Sequence, residues 1–194
     1  MQKNESRNKE STLLEYTLTN NEEISPGVHL ISFQRHFEFV PGQVVKIALD
    51  YQNPPRIYSI CSGKSDKEVS ILFNIKDDGF LTPKLAAAIP GDKILVSKPY
   101  GSFQGSAEKA WWIATGTGIA PFYSMFKSGL AENKTLIHGV RYLNQFYFED
   151  ELEWIFKNNY IRCCSRESSC DVFPGRVTDY LKTLGSFPNI KYYR

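Results

Sequence analysis

Four stretches of the chain combine residue types that could do chemistry. The first begins as an apolar run, Trp111-Trp112-Ile113-Ala114, and passes through Thr115-Gly116-Thr117-Gly118 into Ile119-Ala120-Pro121-Phe122. That order reads as a buried strand, a tight turn and a helix start. Glycines without a Cβ let the backbone approach a ligand, and the N–H groups and dipole of a first helical turn favour an anion such as a pyrophosphate. Asp78-Gly79-Phe80-Leu81-Thr82-Pro83 repeats the device, a glycine turn feeding a helix with Thr82 as the cap and Pro83 at its first position. Arg56-Ile57-Tyr58-Ser59 sets a cation, a ring and a hydroxyl on one strand, with Arg56 and Tyr58 on one face and Ser59 on the other. Arg141, the triplet Ser165-Arg166-Glu167 and Arg176 follow strand ends or a turn, where forked, charge-assisted hydrogen bonds could converge on one phosphate. Taken singly, the Arg56 strand reads as an ordinary half-buried strand, the Gly79 turn as simple capping and each arginine as a solvated surface residue, and the Gly116 turn is by itself a weak signal.

The elements that must position these residues fall into two groups. Met1–Ser11 is polar and charged and is expected to be disordered. Short strands are then expected at Leu13–Leu18, Val28–Phe33, Gln43–Leu49, Arg56–Ser62, Val69–Ile75 and Ile94–Lys98, separated by Pro, Gly and Asn turns and interrupted by one helix after Thr82-Pro83. Such a series predicts an antiparallel sandwich or barrel. Beyond Tyr100-Gly101-Ser102, strands at Trp111–Ala114, Thr135–Val140, Tyr160–Cys164 and Ile190–Tyr193 alternate with helices at Ala120–Lys127, Glu149–Lys157 and Arg176–Leu184. Alternation of this kind predicts a parallel sheet covered by helices. The boundary falls near Ser102–Lys109, giving domains of 12–103 and 104–194.

Composition removes several functions. The 194 residues are 42% hydrophobic and 23% charged, an ordinary globular balance, and aromatic content is 14%. A net charge of +2 is too small to argue for nucleic acid, though it suits an anionic cofactor or an acidic protein partner. No apolar run reaches the length of a membrane span, so the expected compartment is the cytoplasm. Cys61, Cys163, Cys164 and Cys170 have neither zinc nor iron–sulfur spacing; they read as buried thiols, and no metal site is expected.

Together the motifs become specific. Pro41-Gly42-Gln43, Arg56-x-Tyr58-Ser59-x-x-Ser62, Gly79-x-Leu81-Thr82, Gly116-Thr117-Gly118-Ile119-Ala120-Pro121-Phe122, Ser165-Arg166-Glu167 and Gly175-Arg176-Val177-Thr178 occur in one order along the chain. This order and approximate spacing resemble the ferredoxin/flavodoxin–NADP⁺ reductase family, in its bacterial form, from about Leu13 to the end of the chain. The resemblance implies an antiparallel β-barrel domain for FAD followed by an α/β parallel-sheet domain for NADP(H). By that likeness Arg56 would pair with the FAD pyrophosphate, Tyr58 would lie against the isoalloxazine and Ser59 would reach flavin N5. Asn74, Lys76, Gly79, Leu81 and Thr82 would surround the FAD phosphates. Gly116, Thr117 and Gly118, with Pro121 at the helix start, would carry the NADP pyrophosphate and leave Thr117 near the nicotinamide. Arg141, Ser165, Arg166 and Arg176 would recognise the 2′-phosphate, Tyr58, Ser59 and Thr117 forming the catalytic set. The implied partner is a separate ferredoxin or flavodoxin, served by a monomer that binds neither nucleic acid nor membrane.

The resemblance has one gap. After a segment like Ile190-Lys191-Tyr192-Tyr193 the family carries a Cys-Gly pair, a helix and a tail, and this chain stops at Arg194, which reads as a C-terminal truncation. Two other functions fit the same residues. One is the reductase component of an oxygenase, or a general diaphorase. The other is a non-catalytic nucleotide-binding module that keeps the cradles and has lost the chemistry.

Overall fold

The structure, a computed structural model, describes residues 12–185. The expected disorder of Met1–Ser11 and the expected strand at Ile190–Tyr193 both lie outside the described residues. Six antiparallel strands form the first sheet: β1 (Leu13–Ser25), β2 (Val28–Gln34), β3 (Val44–Ala48), β4 (Arg56–Ser59), β5 (Glu68–Asn74) and β6 (Lys93–Ser97), ordered β4-β3-β6-β1-β2-β5. Strand β1 holds it together. Its first half pairs with β6 and its second half with β2, and register shifts near Leu18–Asn20 and Glu23–Ser25 bend it between the two. The outer strands then meet. Ile60, just past β4, bridges Ile71 of β5, and Cys61 N donates to Ser70 O at 2.8 Å. This closure makes the sheet a barrel and removes its open edges. Phe33, Val45, Ile47, Ile60, Ile71, Ile94 and Val96 fill the interior, and Leu85 of helix α1 (Thr82–Ala87) joins them. Asn21 Nδ2 caps that short helix by donating to the carbonyls of Leu85, Ala86 and Ala88.

Three expectations for this half need correction. Strand β1 runs seven residues beyond Leu18, because its polar second half has one solvated face and still pairs with β2. Strand β4 ends at Ser59 rather than Ser62. Thr82 is the first helical residue and Leu81 the N-cap; the Thr82 hydroxyl accepts instead from Lys76 N at 2.9 Å, closing the loop before the helix.

The second sheet is parallel, in the order β10-β9-β8-β7, from β7 (Ala110–Thr115), β8 (Lys134–Val140), β9 (Tyr160–Cys164) and the short β10 (Phe173–Pro174), which the sequence pattern did not indicate. Helices α2 (Ala120–Lys127) and α3 (Glu149–Phe156) supply Met125, Leu152 and Phe156 to a core with Trp112, Ala114 and Leu136. Helix α4 (Val177–Thr183) packs Val177 with Ile137 and Cys163. Cys61, Cys163 and Cys164 are buried thiols as expected; Cys170 is exposed. No helix among the described residues is long and apolar enough to cross a membrane.

The two sheets share one seam. Val28, Leu72 and Cys61 of the barrel belong to the same apolar cluster as Trp112, Ile119 and Met125. Ser124 Oγ, fully buried on α2, donates to Ser62 O at 2.6 Å, and Lys64 N donates to Ser128 Oγ at 3.0 Å. A Cβ at Gly63 would sit 2.9 Å from the Lys127 backbone, so the close approach requires glycine there. At the far end of the seam Ser25 Oγ donates to Asn144 O at 3.1 Å. Ser124→Ala leaves the buried Ser62 carbonyl without this donor, so urea unfolding of the variant should show a loss of about 1–2 kcal/mol.

Candidate functional site

Two grooves open along this seam. The first, about 470 Å³, is lined by Arg56 and Tyr58 of β4, Asn74 at the end of β5, Lys76, and the loop Asp78–Thr82, with Thr117 reaching in from the other domain. Arg56 is exposed and lies 5.1 Å over the Phe80 ring. Tyr58 is half-buried, its ring edge-on to Phe73 at 6.2 Å. Burial raises its phenol pKa and the nearby Arg56 charge only partly opposes this, so a neutral ring faces the groove. Leu81, also in this lining, is buried.

The second groove, about 840 Å³, lies where β7, β8 and β9 end. Parallel sheets present ligand groups at these carboxyl ends. Gly116, Thr117, Gly139, Val140, Arg141, Ser165, Arg176 and Thr178 line it from the sheet, and Gly27, Asn74 and Asp77 from the barrel. Asn74 and Thr117 line both grooves, so the two spaces meet there. Gly116 opens a 3₁₀ turn, Gly116–Ile119, with φ of 50°, and nothing lies within 4 Å of a Cβ placed on Gly116 or Gly118. The glycines therefore do not feed α2 directly, as the sequence pattern predicts; a 3₁₀ turn intervenes, and Ile119 is the N-cap of α2.

Of the residues singled out from sequence, Arg56, Tyr58, Asn74, Lys76, Gly79, Leu81, Thr82, Gly116, Thr117, Arg141, Ser165 and Arg176 line one groove or both. Ser59, Gly118, Pro121 and Arg166 do not line either groove. Arg166 is exposed, with its N–H donating to Arg141 O at 3.0 Å, and Pro121 sits in the first turn of α2.

Sequence reasoning missed several groups in and behind the second groove. Arg162 on β9, its side chain 11% exposed, pairs with Glu149, with Glu153 at 2.7 Å and with Asp171, and thereby ties α3 to the loop after β9. Burial alone would lower its pKa, but the three carboxylates outweigh that and keep the guanidinium charged. Gln145 Oε1 accepts from Arg141 N and Tyr142 N, while Glu167 Oε2 accepts from Leu143 N at 2.6 Å. The acid of the Ser-Arg-Glu triplet is thus spent on a backbone amide. Pro26 and Gly27 were legible only as a turn, because their place in the groove depends on docking of the domains.

His138 on β8 is fully buried behind the glycine turn, and burial pushes its pKa down to about 4, a contact with the Gly116 backbone opposing this only in part. Below pH 6.5 the unfolded chain takes up a proton that the folded chain refuses, so His138 makes stability fall as pH drops from about 6.5 to 4. Urea titrations across that range should therefore show a shallower loss for His138→Gln, by up to about 3 kcal/mol.

A closed antiparallel barrel packed on a parallel sheet, with grooves from each meeting at one turn, defines the two-domain ferredoxin reductase-like class. The model of the oxidoreductase NAD-binding domain matches residues 112–179. The chain is 31% identical over 155 residues to the flavodoxin/ferredoxin–NADP reductase of Escherichia coli (strain K12), a match covering 72% of this chain and 62% of that protein. It is 30% identical over 146 residues to the probable dihydroorotate dehydrogenase B (NAD(+)) electron transfer subunit of Pyrococcus horikoshii, covering 75% of this chain and 53% of that one. A ferredoxin NADP⁺ reductase from Neisseria gonorrhoeae, solved with bound FAD and NADP, has the same fold, with a TM-score of 0.79 at 21% identity over 90% of this chain and 77% of that one. The matched domain and these relatives support the ferredoxin–NADP⁺ reductase family. It spans 62% of the length of the E. coli relative.

Proposed function

We propose that the chain, with domains of 12–103 and 104–194, is an FAD-dependent oxidoreductase that exchanges hydride with NADP(H) and single electrons with a ferredoxin or flavodoxin. The observation that carries this reading is the meeting of the two grooves at Asn74 and Thr117, which lets a ligand in one touch a ligand in the other. The residues present fit both groups. The barrel groove offers a cation, a neutral aromatic ring and a loop of backbone amides, and the sheet groove offers an open glycine turn and two exposed arginines.

In the barrel groove Arg56 would neutralise a pyrophosphate, the Tyr58 ring would cover a flat ligand, and the loop Asp78–Thr82 would present backbone groups. Ser59, one position beyond the lining, would act only at the edge of that ligand. In the sheet groove Arg141, Arg176 and Ser165 would grip a 2′-phosphate, with Arg166 beside them, while the turn Gly116–Gly118 would cradle the pyrophosphate and Pro121 set the helix behind it. Bound flavin would supply the hydride and single-electron chemistry. The protein's share is to hold the two rings at reacting distance across Thr117 and to exclude water there, which can account for several kcal/mol of barrier.

A second reading, a reductase subunit of a larger enzyme, has specific support in the 30% identity to a dihydroorotate dehydrogenase electron transfer subunit. Turnover with purified ferredoxin and flavodoxin separates the two: electron transfer to either favours the first reading. The cytoplasmic, monomeric state belongs to the same proposal.

The deciding measurement is the visible spectrum of the protein reconstituted with FAD, titrated without oxygen with NADPH and then NADH. A flavin band that bleaches with NADPH and resists NADH is the expected outcome, and a band inert to both would leave the non-catalytic module. Losing one charge-assisted contact costs about 1.5–3 kcal/mol, so Arg141→Ala or Arg176→Ala should raise KM for NADPH roughly ten- to a hundred-fold and leave that for NADH nearly unchanged.

A further inference from the structure

Three successive peptide N–H groups, those of Arg141, Tyr142 and Leu143, follow the end of β8, and side chains accept from all three. Gln145 Oε1 accepts from Arg141 N at 3.2 Å and from Tyr142 N at 3.3 Å, and Glu167 Oε2 accepts from Leu143 N at 2.6 Å. Leu143 opens a 3₁₀ turn, Leu143–Gln145, and the first N–H groups of such a turn have no partner inside it. Gln145 belongs to that turn. Glu167 comes from the turn after β9, 24 residues further on, so its bond crosses from one turn to the next. Its acceptor is ionised, which makes the bond short and stronger than one between neutral groups.

Both turns carry groups that line the sheet groove, Arg141 on the first and Ser165 on the second. Their backbones are also joined directly. Val140 O accepts from Ser165 N at 3.1 Å, and Arg141 O accepts from Arg166 N at 3.0 Å and from Cys164 Sγ at 3.1 Å. The N–H of Arg141 is thus held by Gln145 and its carbonyl by the β9 side, and Glu167 ties down the amide two residues later. Fixing the peptides around the Arg141 Cα fixes the direction in which the side chain leaves the chain. A binding group set in advance loses less freedom when it closes on a ligand. Because the three amides are already satisfied, an anion at this end of the groove has to be held by side chains.

We propose that Glu167 is a positioning residue for phosphate recognition, locking the turn after β8 to the turn after β9 so that Arg141 and Ser165 reach one phosphate together. The proposal rests on the reading of these residues as a 2′-phosphate grip. It has a consequence that charge alone does not give. A carboxylate near a phosphate repels it, so on charge alone removing Glu167 tightens binding. As a brace, Glu167 strengthens the grip despite its sign, and its removal weakens binding. What the brace needs is an acceptor oxygen at that place, and a neutral amide supplies one as well as a carboxylate does.

The test compares Glu167→Met, which keeps the length and removes the acceptor, with Glu167→Gln, which keeps an acceptor and removes the charge. Glu167 is exposed, and Leu143 stays packed against Val140, Phe146, Cys164 and Val172, so both variants keep the fold. Calorimetric titration of the full chain with NADP⁺ should show Kd raised roughly five- to thirty-fold in Glu167→Met and within about three-fold of the parent in Glu167→Gln. The Kd for NAD⁺, which has no 2′-phosphate, should stay within about three-fold in both. In an Arg141→Ala background, Glu167→Met should cost little more, because the brace acts through Arg141. Without ligand, hydrogen exchange at Leu143 N–H should quicken in Glu167→Met and stay slow in Glu167→Gln. Tighter or unchanged NADP⁺ binding in Glu167→Met, an equal loss in Glu167→Gln, an equal loss for NAD⁺, or an undiminished loss in the Arg141→Ala background would each overturn the proposal. A parent that binds NADP⁺ no more tightly than NAD⁺ overturns the 2′-phosphate reading itself, and this proposal with it.

Discussion

The structure depends on a seam where the closed barrel meets the first helix of the parallel sheet. Barrel closure brings Ile60 and Cys61 against β5 and leaves Ser62-Gly63 projecting toward α2. Ser124 then takes the Ser62 carbonyl, glycine at 63 lets the Lys127 backbone come close, and an apolar cluster from both domains excludes water around them. A buried hydroxyl–carbonyl bond is costly to break because the freed groups have no solvent to turn to. The seam therefore sets the distance between the barrel groove and the sheet groove. Neither groove is complete without it, since Thr117 crosses to the barrel side and Asn74 crosses to the sheet side.

Arginines in the sheet domain divide between two kinds of work, and burial decides which. Arg162 is sunk among Phe146, Tyr160 and three carboxylates, so its charge is spent within the protein. Arg141 and Arg176 stay exposed at the groove, with charges available to an anion. Glu167 accepts from Leu143 N and so braces the segment after β8. A buried ion network in this position stabilises little on balance, because desolvation offsets much of the attraction. Its effect is to keep α3 and the loop after β9 in one arrangement.

Much of the architecture was legible because local chemistry and burial agree. Strands β2 and β5 are short runs rich in buried Val, Ile, Leu and Phe, β8 is buried along most of its length, and Pro41-Gly42 and Pro26-Gly27 punctuate the turns. Where the two disagree, the reading slipped. The second half of β1 is polar and looked like loop, yet cross-strand pairing with β2 keeps it extended. Thr82 looked like a helix cap, yet its hydroxyl is taken by the Lys76 amide across the loop. The glycine turn looked like a helix N-terminus, yet it forms a 3₁₀ turn first.

By itself, the sequence determined the two-domain order, the barrel and parallel-sheet classes, the family resemblance, and most residues that line the grooves, because periodicity and short glycine, arginine and aromatic motifs are local properties. Only the tertiary structure decided which residues face one another. It left Ser59, Gly118, Pro121 and Arg166 outside the groove linings, brought the β1–β2 turn to the sheet domain, sank Arg162, and buried His138 opposite Ala114. Those outcomes follow from contacts between residues far apart in the chain, formed by barrel closure and domain docking, and no pattern of neighbouring residues encodes them.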